Sequence, residues 1–306
     1  MSFRVMGLLA VVLLPSGSVS LAAQATTPPA RGPIIDVHFH AGPGDTDRRR
    51  PPNPVTGVLS PWRNQAAFVA AAFDTLAHYG IVRAVTSGSL EEVARWHARD
   101  SLRIVPAVWT LDGHPLPSVD RLREEMRAGR VRVLGELGLQ YLGMSPNDPG
   151  MEPYYALAEE LDVPVAIHTG PGPSARVPEA NEPLGNPLLI APVLDRHPRM
   201  RLYLMHGVSR YTPEAIELMR RYPTVYADLA RQTWGANRDT AYARLRALIE
   251  AGLGKRLMFG TDVGLERIAF AIERIESAPF LSAAEKRDIF YCNAVRFFRF
   301  EGLSCP

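Results

Sequence analysis

Eight short apolar runs, rich in Val, Ile and Leu, recur from residue 33 onwards and alternate with longer segments of helical periodicity. This alternation is typical of parallel strands that are covered by helices. Eight such units in about 270 residues match the size and order of a (β/α)8 barrel. The predicted strands are Ile34–His38, Ile81–Thr86, Arg103–Trp109, Val131–Glu136, Val163–His168, Arg201–His206, Thr224–Asp228 and Arg256–Asp262.

Helices are predicted between these strands, and one more helix follows the last strand. An open, doubly wound sheet is the alternative, but no G-x-G-x-x-G follows the first strand and polar residues end nearly every apolar run. We therefore expect an α/β fold, a TIM barrel with an additional C-terminal helix. The predicted helices are Gln65–His78, Ser89–Arg99, Val119–Ala128, Glu152–Leu161, Pro187–Arg196, Pro213–Arg221, Tyr242–Ala251, Leu265–Ser277 and Ser282–Phe300.

The N-terminus has the layout of a secretory signal peptide. Arg4 precedes a short apolar run, and the small-residue sequence Ala23-Gln24-Ala25 offers a cleavage site. The run is too short to span a membrane, and no other stretch reaches about 18 apolar residues. We expect a periplasmic or secreted protein without stable membrane insertion, with an uncleaved membrane anchor as the alternative. The predicted parts are a signal peptide over 1–25, a flexible N-terminus over 26–32 and the barrel over 33–306.

Charge and cysteine content narrow the class of protein further. The formal charge of +2 is the small difference between 34 basic and 32 acidic residues. A nucleic-acid binder normally carries a concentrated basic surface, so no nucleic-acid partner is expected. The two cysteines, Cys292 and Cys305, can form a disulfide that ties the tail to the last helix in an oxidising compartment. The alternative is an unpaired Cys292 that packs as a small hydrophobic residue.

Histidines and carboxylates end many of the predicted strands. In the first run, PIIDVHFHAG, His38 and His40 are two residues apart and so project from the same face of a strand. The carboxyl ends of barrel strands meet at one mouth, so residues far apart in the sequence become neighbours there. The residues predicted to meet are His38, His40, Glu136, His168, His206 and Asp262.

A divalent metal ion is the simplest reason for such a cluster. Buried carboxylates without a cation must shift their pKa or ionise against strong desolvation, which is costly. Imidazole and carboxylate groups are ligands for zinc, manganese, iron or cobalt, and zinc is the first expectation. Taken singly, each residue also has a structural interpretation; Asp262, for example, can cap a helix after the turn-forming Gly260.

Five motifs, DVHFH, GELGL, AIHTG, LMHG and FGTD, occur in this order at predicted strand ends. Together they resemble the amidohydrolase superfamily of metal-dependent barrel hydrolases. The C-terminal KRDIFYCNAVRFF resembles the ending of its second large family, amidohydrolase family 2. The resemblance covers residues 33 to 300 and implies the barrel fold, a metal centre and an enzymatic activity.

Carried over by position, the resemblance implies a ligand set. His38, His40 and Asp262 would hold one metal ion, His168 and His206 a second. Many members bridge the two ions with a carboxylated lysine, but this chain has no lysine before Lys255. Glu136 would supply the bridging carboxylate instead, and GELGLQY also resembles the matching stretch of TatD-type deoxyribonucleases. Some relatives work with one ion, so one or two divalent ions are expected.

The resemblance implies an exported hydrolase that cleaves an amide, ester or lactone bond of a small organic substrate with a metal-activated water. Asp262 would be the catalytic residue that shuttles the proton to the leaving group. The alternatives are a single-metal non-oxidative decarboxylase of the same family, a TatD-like nuclease and a non-catalytic exported binding protein. The substrate and the oligomeric state stay open, because fold and metal centre are shared by many chemistries.

Residues in the loops after the strands are candidates for contact with the substrate. Arg210 can bind a carboxylate with two hydrogen bonds. A structural role is at least as good an interpretation for each of the others. The full candidate set is Arg210, Trp109, His114, Asp228 and Trp234.

Overall fold

The computed structural model describes residues 32–41, 65–110, 115–170, 181–207, 209–231, 235–262 and 265–305, all within the compact unit Gly32–Pro306. Its strands are β1 (Ile34–His40), β2 (Ile81–Gly88), β3 (Ile104–Thr110), β4 (Val133–Leu137), β5 (Val165–His168), β6 (Leu202–Met205), β7 (Val225–Asp228) and β8 (Leu257–Met258). Its helices are α1 (Gln65–His78), α2 (Leu90–Arg99), α3 (Val119–Arg127), α4 (Glu152–Glu160), α5 (Ala191–Arg196), α6 (Thr212–Arg221), α7 (Arg238–Glu250), α8 (Ile268–Glu276), α9 (Ala283–Arg287) and α10 (Asn293–Phe298).

The eight strands form one sheet in which each strand pairs in parallel with the next along the chain. The two ends of this sheet approach each other: Val37 of β1 donates its N–H to the carbonyl of Phe259, which directly follows β8, at 2.9 Å. Asp262 likewise donates its N–H to the carbonyl of His38 at 2.7 Å, and Phe39 and Asp262 form an isolated parallel bridge. The sequential order and this closure confirm the (β/α)8 barrel and exclude the doubly wound alternative.

Two apolar clusters stabilise the barrel. The larger one lies between the sheet and the helices; in it Phe39 packs against Trp96 of α2 with ring centroids 5.8 Å apart. The smaller one joins strand residues such as Ile35, Val105 and Val133 to aromatic side chains of the C-terminal segment. These strand residues lie near the strand starts, so the C-terminal segment packs at the end of the barrel opposite the histidines.

The C-terminal segment is not the single continuous helix predicted over Ser282–Phe300. A capping box formed by Ser282 and Glu285 begins α9, and a π-helical stretch over Asp288–Cys292 separates it from α10. Cys292 and Cys305 are joined by a disulfide, with Cα atoms 5.2 Å apart. Of the two alternatives predicted for these cysteines, the structure has the disulfide and not the unpaired Cys292. The tail is thereby tied to the last helices.

Among the described residues, no helix combines the length and the apolar character needed to cross a membrane. The predicted signal peptide and most of the flexible N-terminus lie outside the described residues.

Candidate metal centre

The structure brings together all six predicted metal ligands at the carboxyl ends of the strands. His38 and His40 end β1, and their rings stack with centroids 5.4 Å apart, as the spacing of two residues predicts. Glu136 lies in β4 and His168 ends β5, while His206 directly follows β6. Asp262 lies four residues after the short β8 segment. All six are buried.

One group of ligand atoms comes from His38, His40 and Asp262, which each offer an atom within 4.8 Å of the other two. The Nε2 atoms of His38 and His40 lie 3.7 Å and 3.4 Å from Asp262 Oδ1. The Asp262 side chain is 11% exposed, more than that of any other carboxylate in this centre, so it is the acid nearest the solvent.

A second group of ligand atoms comes from Glu136, His168 and His206, again within 4.8 Å of one another. His168 Nδ1 makes a short contact with Glu136 Oε1, and His206 Nε2 lies 3.6 Å from the same oxygen. The rings of His168 and His206 meet edge to face with centroids 4.5 Å apart.

Glu136 lies between these two groups and contacts each with a different oxygen. Its Oε2 lies 3.3 Å from His38 Nε2 and 3.0 Å from His40 Nε2. Its Oε1 faces His168 and His206. A carboxylate with one oxygen on each side has the arrangement needed to bridge two cations.

Burial and neighbouring charges shift the pKa values within this cluster. Burial alone would raise the pKa of Glu136, but His38, His168 and His206 hold it well below its usual value. The pKa of Asp262 is also lowered in spite of burial, chiefly by His206, His38 and His40. Burial and the adjacent His168 lower the pKa of His206 to about 4. Ionised carboxylates and a neutral imidazole are the forms that bind a metal ion.

His38 differs from His206 because it contacts two carboxylates. Burial disfavours its charged form, but Asp228 and Glu136 outweigh burial and raise the pKa of His38 well above its usual value. A metal ion at Nε2 would take the place of the proton there. The donor set therefore fits a divalent cation. His40 Nε2 supports this, since it is buried and, although Glu136 Oε2 lies 3.0 Å away, makes no well-aligned hydrogen bond among the described residues.

Local backbone geometry places two of these side chains. His206 and Asp262 both adopt left-handed backbone conformations, with φ of 58° and 64°, which non-glycine residues rarely do. Such strained positions cluster at functional sites, where surrounding contacts hold them. The backbone at Gly260 packs closely against His38: a Cβ atom at position 260 would lie 2.8 Å from His38 Cβ.

Two further side chains contact His38 and His168 at the ring nitrogen that does not face Glu136. Asp228 Oδ2 lies 2.8 Å from His38 Nδ1, and the Tyr141 hydroxyl lies 2.9 Å from His168 Nε2. The sequence analysis assigned Asp228 to the substrate pocket, but its side chain is 0% exposed and contacts His38 instead. It assigned no role to Tyr141, although this residue is the last of the quoted GELGLQY stretch.

The other predicted substrate residues are spread more widely. Trp109 is half-buried near the end of β3, and its ring is nearly perpendicular to that of His40, with centroids 5.2 Å apart. Arg210 has a side chain that is 58% exposed and pairs with Glu182. Its guanidinium is thus engaged with a carboxylate of this chain. His114 and Trp234 lie outside the described residues.

Comparison with known proteins identifies the family of this chain. A family model described as amidohydrolase, Amidohydro_2, matches residues 35–300. The fluG protein of Emericella nidulans is 31% identical over 99 residues, which are 32% of this chain and 11% of that protein. The chain thus spans about a tenth of the length of this curated relative.

Solved structures share the architecture at lower identity. A probable 2-pyrone-4,6-dicarboxylic acid hydrolase from Acinetobacter baumannii, with citric acid bound, is 14% identical with a TM-score of 0.61 over 87% of this chain and 99% of that one. A dihydroxybenzoic acid decarboxylase from Polaromonas sp. JS666, with bound manganese and an inhibitor, is 16% identical with a TM-score of 0.52 over 75% and 85%.

Proposed function

Because the chain belongs to the amidohydrolase family, we propose that it is a metal-dependent hydrolase that cleaves an amide, ester or lactone bond of a small organic molecule. The observation that carries this proposal is the position of Glu136. Its two carboxylate oxygens face different pairs of histidines, with His38 and His40 on one side and His168 and His206 on the other. This arrangement favours two bridged ions over one.

The protein residues have distinct tasks in this proposal. Divalent ions held here would lower the pKa of a water molecule and polarise the substrate carbonyl. Asp262 is ionised at neutral pH and is the carboxylate nearest the solvent, so it can accept a proton and pass it to the leaving group. The half-buried Trp109 lies against His40 and can contact an apolar part of the substrate.

Zinc is the ion we propose, because imidazole and carboxylate ligands suit it. The ligand set also suits manganese, which is bound to the similar decarboxylase from Polaromonas. The first experiment is to purify the protein without added metal, measure bound ions by mass spectrometry, and assay a panel of esters, lactones and N-acyl amino acids with zinc or manganese. We expect about two ions per chain and hydrolysis that disappears on chelation and returns with metal.

Asp262→Asn provides the matching variant. The substitution keeps the size of the side chain but removes the proton acceptor, so turnover should fall at least about a hundredfold while the fold is retained. Asp195→Asn is the control, because Asp195 is an exposed partner of Arg221 on the surface. Full activity of the metal-free protein would contradict the proposal, as would unchanged turnover of Asp262→Asn.

A decarboxylase is the second candidate, and the similarity to the Polaromonas enzyme favours it. The same purified protein should then release carbon dioxide from aromatic acids such as dihydroxybenzoates and leave esters and lactones intact. Measuring carbon dioxide alongside acid release distinguishes the two reactions. A single bound ion per chain would also favour this candidate over the bridged centre.

Export to the periplasm or the medium is part of the proposal. The signal-peptide layout of the N-terminus supports it, and so does the disulfide between Cys292 and Cys305, since such bonds persist in oxidising compartments. Expression of the full chain in a bacterial host should yield a processed protein whose N-terminal sequence starts at Thr26. Recovery of the unprocessed chain in the cytoplasm would contradict export.

A further inference from the structure

Asp228 has a carboxylate near the metal centre whose two oxygens both make hydrogen bonds, and the predicted ligand set does not include it. The side chain is 0% exposed, so it cannot touch a substrate. Its Oδ2 lies 2.8 Å from His38 Nδ1. Its Oδ1 accepts the backbone N–H groups of His206 and Ala230, each at 2.9 Å. The carboxylate therefore contacts one member of each histidine pair.

The contact with His38 determines which ring nitrogen is available to a metal ion. Carboxylate oxygens accept hydrogen bonds, and Asp228 Oδ2 faces His38 Nδ1 at 2.8 Å, so His38 Nδ1 carries the hydrogen in this contact. The lone pair of a neutral His38 ring then lies on Nε2. That atom faces Glu136 Oε2 at 3.3 Å and Asp262 Oδ1 at 3.7 Å, where a cation would be bound.

The contact with His206 acts on the backbone rather than on the ring. His206 has a left-handed backbone with φ of 58°, and its N–H is held by Asp228 Oδ1. The same oxygen accepts the N–H of Ala230 two residues further along the chain from Asp228, which closes the turn after β7. With three donors around it, the carboxylate has little freedom to rotate.

We propose that Asp228 is a positioning residue that fixes His38 in the tautomer with a free Nε2 and, through its other oxygen, holds the turn that presents His206. This inference rests on the metal centre of the proposed function. Outer partners of metal-binding histidines typically change metal affinity 10–100-fold when they are replaced. Asp228 would thus tune metal binding without contacting the ion or the substrate.

Asp228→Asn separates the two contacts. The amide oxygen can still accept the N–H groups of His206 and Ala230, so the turn is preserved. The amide nitrogen then donates to His38 Nδ1, which forces the hydrogen onto Nε2 and blocks the ligand atom. We expect the affinity for the zinc ion bound by His38 to fall about 10–100-fold, and a second ion held by His168 and His206 to be affected less than about threefold.

Asp36→Asn is the matched control, because Asp36 is also a buried carboxylate, located two residues before His38. Its Oδ1 accepts the N–H groups of His38 and Thr261 at 3.0 Å and 3.2 Å, and its Oδ2 accepts the Thr261 hydroxyl at 2.6 Å. An amide preserves these contacts, since the hydroxyl can accept as well as donate. No histidine ring nitrogen is involved, so zinc affinity should stay within about threefold of the unsubstituted protein.

The test measures zinc binding to the full-length protein and both variants by competition with a chromophoric chelator, and records circular dichroism to verify folding. A second measurement needs no variant at Asp228. In zinc-loaded protein labelled with ¹⁵N-histidine, the signal absent from His38→Gln should report a ring with hydrogen on Nδ1 and metal on Nε2.

Zinc affinity of folded Asp228→Asn equal to that of the unsubstituted protein would overturn this role of Asp228. Metal binding of His38 through Nδ1 would overturn it as well, even if Asp228→Asn does not fold. If the unsubstituted protein binds no zinc, the proposed function fails together with this inference, whereas normal binding with an unchanged variant refutes only the role of Asp228.

Discussion

Tyr141 and Asp228 give the two histidine pairs chemically different outer partners. His38 contacts a carboxylate at 2.8 Å, while His168 contacts a neutral phenol at 2.9 Å. A carboxylate makes the imidazole a stronger base and hence a stronger ligand than a hydroxyl does. The His38 side of the centre should therefore retain its ion more firmly than the His168 side.

Tyr141→Phe tests this difference at a single atom. The substitution removes only the hydroxyl that meets His168 Nε2, and the ring still fills its buried position. We expect the weaker of two zinc ions to lose about tenfold in affinity, with the tighter ion changed less than threefold. Chelator competition measures both. Tyr154→Phe is the control, because its hydroxyl contacts the carbonyl of Pro117 instead. Equal losses in the two variants would contradict the assignment.

Gly260→Ala tests how closely the backbone packs beneath the centre. A Cβ atom would lie 2.8 Å from His38 Cβ, which is too close, so the backbone at Gly260 or at His38 must move. Overpacking of this kind costs about 1–3 kcal/mol in the free energy of unfolding. Urea unfolding measures it, with Gly32→Ala as control because nothing lies within 4 Å of that position. A Gly260→Ala protein as stable as the original would show that the contact is easily relieved.

The sequence predicted the six candidate ligands but not their surroundings. These candidate ligands could be predicted because each lies near or just after the end of an apolar strand, and the barrel brings the ends of its parallel strands together. Asp228 also ends a strand, yet the pattern cannot tell whether a side chain faces the mouth or lies behind a neighbour. That difference depends on packing with His38, 190 residues away. The sequence likewise predicted Gly260 only as a turn residue. Its close approach to His38 exists only in the closed barrel and could not be predicted from the turn alone.

At the scale of elements, the C-terminal helices are organised by Asp288. Its side chain is 5% exposed and pairs with Lys255 near β8 and with Arg296 of α10, the latter at 3.0 Å. The π-helical stretch that begins at Asp288 lies between these partners. Sequence periodicity predicted one helix there because a single inserted residue barely changes the apolar pattern. The interruption follows from tertiary contacts, including the hydrogen bond from Phe259 N–H to the carbonyl of Ile289.

Asp288→Asn should destabilise this segment in a pH-dependent way. Burial favours the neutral acid, but Lys255 and Arg296 outweigh it and lower the pKa of Asp288 below its usual value of 3.8. A pKa lowered by folding contributes stability above the unfolded pKa, and this contribution is lost as pH falls through the folded pKa. We expect a loss of about 1–3 kcal/mol in the free energy of unfolding at pH 7, because an amide presents a donor to two cations.

The difference between the two proteins should shrink below about pH 4, where the original carboxylate also becomes protonated. Denaturant unfolding at several pH values measures this. Asp195→Asn is the control, since the Asp195–Arg221 pair is about half exposed on both sides and such surface pairs contribute roughly 0–1 kcal/mol. A loss at Asp288 that is independent of pH would indicate a packing effect rather than a charge effect.

At the scale of the whole molecule, the barrel closes at the metal centre. The contacts between β1 and the segment after β8 run through the backbone of His38 and Asp262, so the first and last strands meet where the candidate ligands converge. The alternation of strands and helices predicted the barrel and its strand order. It could not predict this closure, because β8 is only two residues long and the contacts with β1 are made by residues after β8, outside a regular ladder.

Metal binding should therefore stabilise the whole fold. An ion that binds only the folded state adds about 4 kcal/mol at a free concentration of a thousand times its Kd. For a chain of this size each kcal/mol raises the melting temperature by roughly 2–4 °C, so zinc should raise it by about 8–16 °C over the chelated protein. Differential scanning calorimetry measures the shift. His38→Gln removes a candidate ligand at the point where the first strand meets the segment after the last strand, so it should reduce the shift in melting temperature by more than half. His97→Gln is the control and should preserve the shift, because His97 lies on α2 and contacts the carbonyl of Ile104. If zinc leaves the melting temperature unchanged, the prediction that metal binding stabilises the barrel is wrong.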